Sequence, residues 1–159
     1  MKKGFERKSN RLDLTEYNKY QSYFLTLTCA NERKAFIKKT RVDDYITVLK
    51  EQAIENEMSI FAYCFMPDHL HILVEGESLI DFVRKFKQIT GYRYKQNTGK
   101  KLWQKSFYDH ILRDEENIKD VSFYIFTNPV RAGLVEKFTD YPYTGSLEFD
   151  WKETFNLET

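Results

Sequence analysis

The segment that decides the fold is Met58–Glu75, with the sequence MSIFAYCFMPDHLHILVE. Its first half is an apolar run that ends at Phe65, and Met66-Pro67-Asp68 then introduces a turn. Apolar residues resume directly after the turn, with His69 and His71 two positions apart. This pattern predicts two antiparallel strands joined by a short turn, a β-hairpin.

Patterns on both sides of the hairpin predict the other core elements. Alternating aromatic and β-branched residues indicate strands, and apolar residues at helical spacing indicate helices. Thr40, Ser78 and Asp114 are expected to cap the three helices at their N-termini. The predicted elements are a strand at 23–30, a helix at about 41–56, strands at 58–65 and 69–75, a helix at about 79–96, a strand at 106–112 and a helix at about 115–128.

The order of these elements, β-α-β-β-α-β and then one more helix, indicates the fold class. We predict an α+β protein with a ferredoxin-like core, in which an antiparallel sheet carries helices on one face. An extra C-terminal helix follows this core. The 159 residues suit a single domain at 1–159. It would have a basic N-terminal arm at about 1–19 and an acidic tail at about 134–159 that forms loops with short turns.

The composition argues against secreted and membrane proteins. The chain has only two cysteines, Cys29 and Cys64, and each lies in an apolar run, which favours a reducing, cytoplasmic setting. No apolar stretch follows the basic start, so we expect no signal peptide. No run approaches the roughly 18 apolar residues of a membrane span, so no membrane partner is predicted.

The histidine pair is the first candidate for chemistry. Residues i and i+2 of a strand point to the same face, so His69 and His71 would lie side by side, about 6.6 Å apart at Cα. Two neighbouring imidazoles can share one divalent ion. Two strand histidines without a metal fit the same spacing, so the pattern alone leaves both interpretations open.

Further candidates lie on the last predicted helix and strand. Tyr124 and Asn128 are spaced i and i+4 on that helix, where a phenol could act as a covalent nucleophile and an amide oxygen could bind Mg²⁺ or Mn²⁺. The pattern does not separate Tyr124 from the other tyrosines, and helix termination before a proline also explains Asn128. Tyr108 and His110 share one face of the fourth strand, with accessory, DNA-contacting or structural roles open.

The stretch Asp81–Lys105 carries a net charge of +7, with aromatic residues between its cations. Cations that neutralise phosphates and rings that stack on bases are typical of single-stranded nucleic-acid binding. A solvated helix face with its aromatics in the core is the alternative. The candidate DNA-binding residues are Arg84, Lys85, Lys87, Arg93, Lys95, Lys101 and Trp103.

Three segments together resemble a known family. The run Met66–Val74 resembles the His-hydrophobic-His signature of the HUH endonuclease superfamily, and more narrowly the single-tyrosine transposases of insertion sequences that move as single strands. The segments Trp103–His110 (WQKSFYDH) and Tyr124–Val135 (YIFTNPVRAGLV) resemble the branch of that family associated with repeated extragenic palindromes, the REP-associated branch. The similarity runs from about Tyr20 to Tyr143.

The resemblance implies a fold, a reaction and a set of roles. It implies a ferredoxin-like transposase that binds DNA hairpins, works as a monomer or homodimer, and cuts and rejoins single-stranded DNA with Mg²⁺ or Mn²⁺. His69 and His71 would bind the metal with Asn128 as third ligand, and Tyr124 would form a 5′-phosphotyrosine. By charge alone, Arg11 of the basic arm could contact a hairpin stem.

Two other functions fit the same residues less completely. One is a non-catalytic nucleic-acid-binding module on a ferredoxin-like fold, in which Tyr124 and the histidines only pack. The other is a small metal-dependent hydrolase that acts on something other than DNA.

Overall fold

Five strands and five α-helices form the part of the chain that the computed structural model describes, residue 17 and residues 19–155. The predicted contact of Arg11 lies outside these residues. The strands are β1 (Gln21–Thr28), β2 (Ser59–Met66), β3 (His69–Gly76), β4 (Tyr108–Ile111) and β5 (Thr144–Gly145). The helices are α1 (Lys39–Glu55), α2 (Leu79–Thr98), α3 (Ile118–Phe126), α4 (Asn128–Arg131) and α5 (Trp151–Phe155).

The predicted hairpin forms the centre of the sheet. Met66 at the end of β2 pairs with His69 at the start of β3, so Pro67 and Asp68 form a two-residue turn. β1 pairs antiparallel with the other side of β3, and the full strand order is β4-β1-β3-β2-β5. Every pairing in this sheet is antiparallel, and the α+β fold class is confirmed.

The two faces of the sheet bury different partners. On one face, strand residues such as Leu25, Phe65 and Ile72 pack with α1 and α2 in one apolar core. On the opposite face, residues such as Phe24 and Leu73 pack with α3 and the C-terminal segment in a second core. The two helices of the ferredoxin-like core therefore cover one face as predicted, and the extra helix that carries Tyr124 covers the other.

Two of the three predicted helix caps are wrong. α1 begins at Lys39, so Thr40 lies inside its first turn. Ser78 is the N-cap residue of α2 as predicted, but its side chain makes no capping hydrogen bond. Asp114 lies in a turn before α3, whose N-cap is Asn117: the Asn117 side chain accepts a hydrogen bond from the Asp120 N–H at 2.7 Å. The Glu116 carboxylate accepts the Arg113 N–H at 2.9 Å, and this turn delays the start of the helix.

The helix with Tyr124 ends earlier than predicted. α3 stops at Phe126, and the four-residue α4 begins at Asn128. Pro129 explains the interruption, because proline has no backbone N–H to donate to the carbonyl four residues earlier, and it lies in the first turn of α4, where that N–H is not needed. Tyr124 and Asn128 therefore lie on two successive helical segments.

The C-terminal segment is more ordered than the predicted loops and turns. It contains a 3₁₀ turn at Phe138–Asp140, the strand β5 and the helix α5. Its aromatic side chains are buried against α3, and the Trp151 ring stacks on Phe126 with ring centroids 4.7 Å apart. Burial of these rings, rather than any local periodicity, gives the segment its structure.

Within the described residues, no helix combines the length and the apolar character that a membrane crossing requires.

Candidate active site

The histidine pair lies at the start of β3, on the sheet face that α3 covers. The Nε2 atoms of His69 and His71 are 3.1 Å apart, so both rings point at the same place. The Nδ1 of His69 lies 2.6 Å from an Asp68 carboxylate oxygen, and the Nδ1 of His71 lies 3.0 Å from the Thr26 hydroxyl. The Nδ1 contact of each ring therefore fixes its orientation, and the two Nε2 atoms point toward each other.

The His71 ring is neutral at physiological pH. Burial is the main cause, because it disfavours the charged imidazolium, and the nearby charges of His69 and Arg131 act in the same direction. A hydrogen bond to the backbone of Leu25 opposes them, and the net effect lowers the pKa of His71 to about 3. A neutral imidazole is the form that binds a metal ion.

The geometry of the pair fits a divalent ion. Two ligand atoms about 2.1 Å from an ion with octahedral geometry are about 3 Å apart, which is close to the observed Nε2 separation. The Asp68 carboxylate behind His69 is the kind of outer partner that fixes the tautomer of a metal-binding histidine.

Within the described part of the chain, acidic and sulfur side chains do not complete a metal site with the two histidines. Among residue 17 and residues 19–155, no group of three or more His, Cys, Asp and Glu side chains could hold a metal ion. Asn128 starts α4, is half-buried, and its side-chain amide makes no hydrogen bond to another described residue. Its role as third ligand stays a prediction.

Tyr124 reaches the same face from α3. Its ring is 43% exposed and packs edge-on against the buried Phe24, with ring centroids 6.3 Å apart. The His71 ring packs on the same Phe24 at 5.4 Å. One aromatic ring therefore separates the candidate nucleophile from the histidine pair. The guanidinium of Arg131 covers Tyr124, with its Cζ 4.1 Å from the ring centroid.

His110 and Tyr108 lie on the edge strand β4 on this same face, because His110 pairs with Phe24 and Tyr108 with Thr26. The His110 Nε2 is 2.9 Å from a Glu116 carboxylate oxygen, so this pair links β4 to the turn before α3. Burial and two nearby carboxylates raise the pKa of Tyr108. These contacts give His110 a structural role, and its accessory role stays a prediction.

A basic groove lies between α2 and the segment that leads to β4. Its volume is about 660 Å³. Of the aromatic residues that lie between the cations of Asp81–Lys105, Tyr92 lines the groove and is 66% exposed, whereas Phe82, Phe86 and Tyr94 are buried in the core. The cations that line the groove are Arg84, Lys87, Lys95, Lys101 and Lys105.

Two of the predicted DNA-binding cations point elsewhere. Lys85 pairs with Glu55 at 3.0 Å, and Arg93 pairs with Asp44 at 2.7 Å. Both acids belong to α1, so these side chains bridge the two helices instead of lining the groove. Their prediction rested on net charge along the chain, which cannot distinguish the sides of a helix.

Trp103 requires a correction. Its ring is only 4% exposed, and its indole N–H donates a hydrogen bond at 2.9 Å to the hydroxyl of the buried Thr90. The ring also contacts Phe36 and Phe86 in the core. Trp103 therefore forms the floor of the groove as a core residue and does not offer a face for base stacking.

The groove reaches the end of the sheet where the histidines lie. The Gln104 N–H donates to the Thr28 carbonyl at 2.9 Å, and Thr28 pairs with His69 in the β1–β3 ladder. Neighbouring strands are about 4.8 Å apart, so the Gln104 and His69 backbones are separated by roughly 10 Å.

Comparison with known proteins gives the family of this arrangement. The family model described as "Transposase IS200 like" matches residues 18–128, more than half of the chain and the whole stretch from β1 to Asn128. The chain belongs to the IS200-like transposase family. The matched residues of this IS200-like transposase include the histidine pair, the basic groove and Tyr124.

Individual relatives support the same assignment. The REP-associated tyrosine transposase of Escherichia coli (strain K12) is 25% identical over 153 residues, which cover 87% of this chain and 91% of the relative. A Haemophilus influenzae protein that carries this name provisionally is 25% identical over 145 residues, 81% of each chain. The solved structure of a REP-associated tyrosine transposase bound to a REP hairpin has the same fold, with a TM-score of 0.69 and 21% identity over 87% of this chain and 82% of that one.

Sequence patterns did not single out four residues that shape this transposase site. Asp68 adjoins His69, and its position in the turn could have suggested an outer partner. Arg131 lies seven residues, about two helical turns, after Tyr124. Thr26 and Phe24 lie at the site because of how β1 pairs with β3 and β4. Local sequence patterns do not predict this strand register.

The burial of Trp103 predicts a stability defect without a binding defect. Trp103→Phe removes the indole N–H, so the buried Thr90 hydroxyl loses the hydrogen bond that it accepts from Trp103. We therefore expect the free energy of unfolding to fall by about 1–3 kcal/mol. Urea unfolding measures this loss. Tyr92→Leu is the matched control: it should retain stability but weaken binding of single-stranded DNA in a fluorescence anisotropy titration. A folded Trp103→Phe with clearly weaker DNA binding would contradict this assignment.

Proposed function

We propose that this IS200-like transposase is a metal-dependent single-strand endonuclease and strand transferase that binds hairpin DNA and acts through Tyr124. One observation carries the proposal: two imidazole nitrogens that converge at 3.1 Å and an exposed tyrosine flank the same Phe24 ring. A non-catalytic module would not need two convergent metal-binding nitrogens next to an exposed phenol.

The proposed DNA substrate is a hairpin of the repeated extragenic palindrome type. A solved relative of the same fold is bound to a REP hairpin. In this chain, the basic groove supplies five cations and the exposed Tyr92 ring, a combination suited to an unpaired strand next to a stem. The end of the groove at Gln104 is one strand away from the strand that carries the histidines.

His69 and His71 would hold a Mg²⁺ or Mn²⁺ ion, with Asn128 as the proposed third protein ligand. When bound, the ion would polarise the scissile phosphate and offset its developing negative charge. Asp68 and Thr26 keep the two Nε2 atoms directed at this place.

The proposed reaction exchanges one phosphodiester bond for another. The Tyr124 hydroxyl oxygen forms a bond to the scissile phosphorus and loses its proton, while the bond from phosphorus to the 3′ oxygen breaks and that oxygen is protonated. The products are a 5′-phosphotyrosine and a free 3′-OH. A 3′-OH can attack the phosphotyrosine in the reverse direction, so strand joining needs no nucleotide cofactor.

Replacement of Tyr124 tests the covalent step. With Mn²⁺ and hairpin DNA that carries single-stranded arms, the wild type should form a protein–DNA adduct that survives denaturing electrophoresis. Tyr124→Phe lacks the nucleophilic oxygen, so we expect no adduct and a loss of cleavage on the order of 10³-fold or more, with hairpin affinity retained.

Tyr20→Phe is the matched control, because Tyr20 is also an exposed tyrosine. It should form the adduct at the wild-type rate. Tight hairpin binding without cleavage by the wild type would favour the non-catalytic module. Metal-dependent turnover that persists in Tyr124→Phe would favour the metal-dependent hydrolase.

The carboxylate behind His69 gives a test of the metal site. Asp68→Asn removes the charge that orients the ring, so we expect the Mn²⁺ affinity to fall about 10–100-fold. Electron paramagnetic resonance of free Mn²⁺ measures this affinity without DNA. His71→Ala should abolish specific binding, and Asp81→Asn, an exposed acid on α2, should leave it unchanged. Equal Mn²⁺ affinity in all of these proteins would exclude the proposed site.

Charges on two sides of α2 give a test of the groove. Lys95→Gln and Lys101→Gln each remove one groove cation, so we expect weaker hairpin binding and a salt dependence whose logarithmic slope is smaller by about one. Lys85→Gln removes the same charge from a side chain that pairs with Glu55, and should change neither quantity. If Lys85→Gln and Lys95→Gln weaken hairpin binding equally, the net charge of the protein, and not the groove, governs binding.

A further inference from the structure

We propose that Arg131 is a phosphate-binding residue of the active site, which holds the Tyr124 ring in place and contacts the phosphate that Tyr124 attacks. This inference rests on the function proposed above. Arg131 lies at the end of α4, directly beyond the interruption at Pro129.

Three contacts fix the guanidinium of Arg131 over the nucleophile. Its Cζ lies 4.1 Å from the centroid of the Tyr124 ring. Its Nη2 donates a hydrogen bond at 2.6 Å to the Tyr124 backbone carbonyl, and its Nη1 donates one to the Thr127 hydroxyl. The group is therefore preorganised, with the side-chain entropy of an arginine largely lost before any ligand binds.

Among the described residues, no carboxylate neutralises the charge of this fixed guanidinium. Arg131 is exposed and forms no ion pair with an acid in the described part of the chain. Arg84 and Arg93, two other exposed arginines, pair with Asp81 and Asp44. An immobilised, exposed cation without a carboxylate partner is suited to an external anion.

The chemistry of the proposed reaction supplies that anion beside Tyr124. Two of the guanidinium N–H groups are used within the protein, and the other donors of the planar fork are left for phosphate oxygens. A cation at this position would also stabilise negative charge as it develops on the phosphate. A lysine at position 131 would keep the positive charge, but it has no planar guanidinium to stack on the Tyr124 ring and no paired N–H donors for a phosphate.

Arg131→Gln and Arg131→Lys test the proposal. The probes are hairpin oligonucleotides that the wild-type protein enriches from a randomised library, each made with and without its single-stranded arms. We expect Arg131→Gln to slow adduct formation in a single turnover by about 10²–10³-fold. Arg131→Lys should bind the armed hairpin more tightly than Arg131→Gln does, since it keeps the charge, but its adduct formation should remain slow. Lys152→Gln, which removes another cation near an aromatic ring, Trp151, should match the wild type.

A second measurement does not depend on catalysis. In the Tyr124→Phe background, Arg131→Gln should weaken binding of the armed hairpin about 10-fold or more and leave binding of the bare hairpin unchanged. Mn²⁺ affinity and the midpoint of thermal unfolding should stay at the values of the parent protein.

The outcomes separate the two proposals. If the wild type forms no adduct, the proposed nuclease function fails, while the arm-dependent affinity still decides the role of Arg131. Wild-type adduct rates in Arg131→Gln, or equal loss of affinity for armed and bare hairpins, would overturn the role of Arg131. A lysine variant as fast as the wild type would show that charge alone suffices and would overturn the stacking role.

Discussion

The register between β1 and β3 is the constraint on which the candidate site depends. It sets Thr26 opposite His71 and Thr28 opposite His69. Side chains alternate between the faces of a strand, so a shift by one residue would turn both histidines into the core beneath α1 and α2. Leu70 and Ile72, fully buried between and beside the histidines, oppose such a shift because it would expose them.

The same alternation places the basic groove and the histidine pair on opposite sides of the sheet. One face is covered by α1 and α2, and the outer side of α2 carries the basic groove. The other face holds the histidine pair and is covered by α3, which brings Tyr124 to the Phe24 ring. The hydrogen bond from Gln104 to Thr28 ties the end of the groove to the sheet end that carries the histidines.

Much of the fold and part of the site follow from local sequence. The hairpin around Pro67 and the helix from Leu79 were predictable, because turn residues and apolar periodicity act over a few positions. His69 and His71 share a face for the same reason. Other features depended on distant partners, which local sequence does not report: Trp103 is in the core, Lys85 and Arg93 pair with acids of α1, and the C-terminal aromatics pack on α3.

The sequence by itself determined the order of the elements, the common face of the two histidines and the family resemblance, because each depends on residues close together in the chain. Only the tertiary structure decided which neighbours those residues have. The approach of Tyr124 to Phe24 and the hydrogen bond of Thr26 to His71 arise from strand register and helix packing. These contacts join positions that are up to about a hundred residues apart, a distance over which local spacing carries no information.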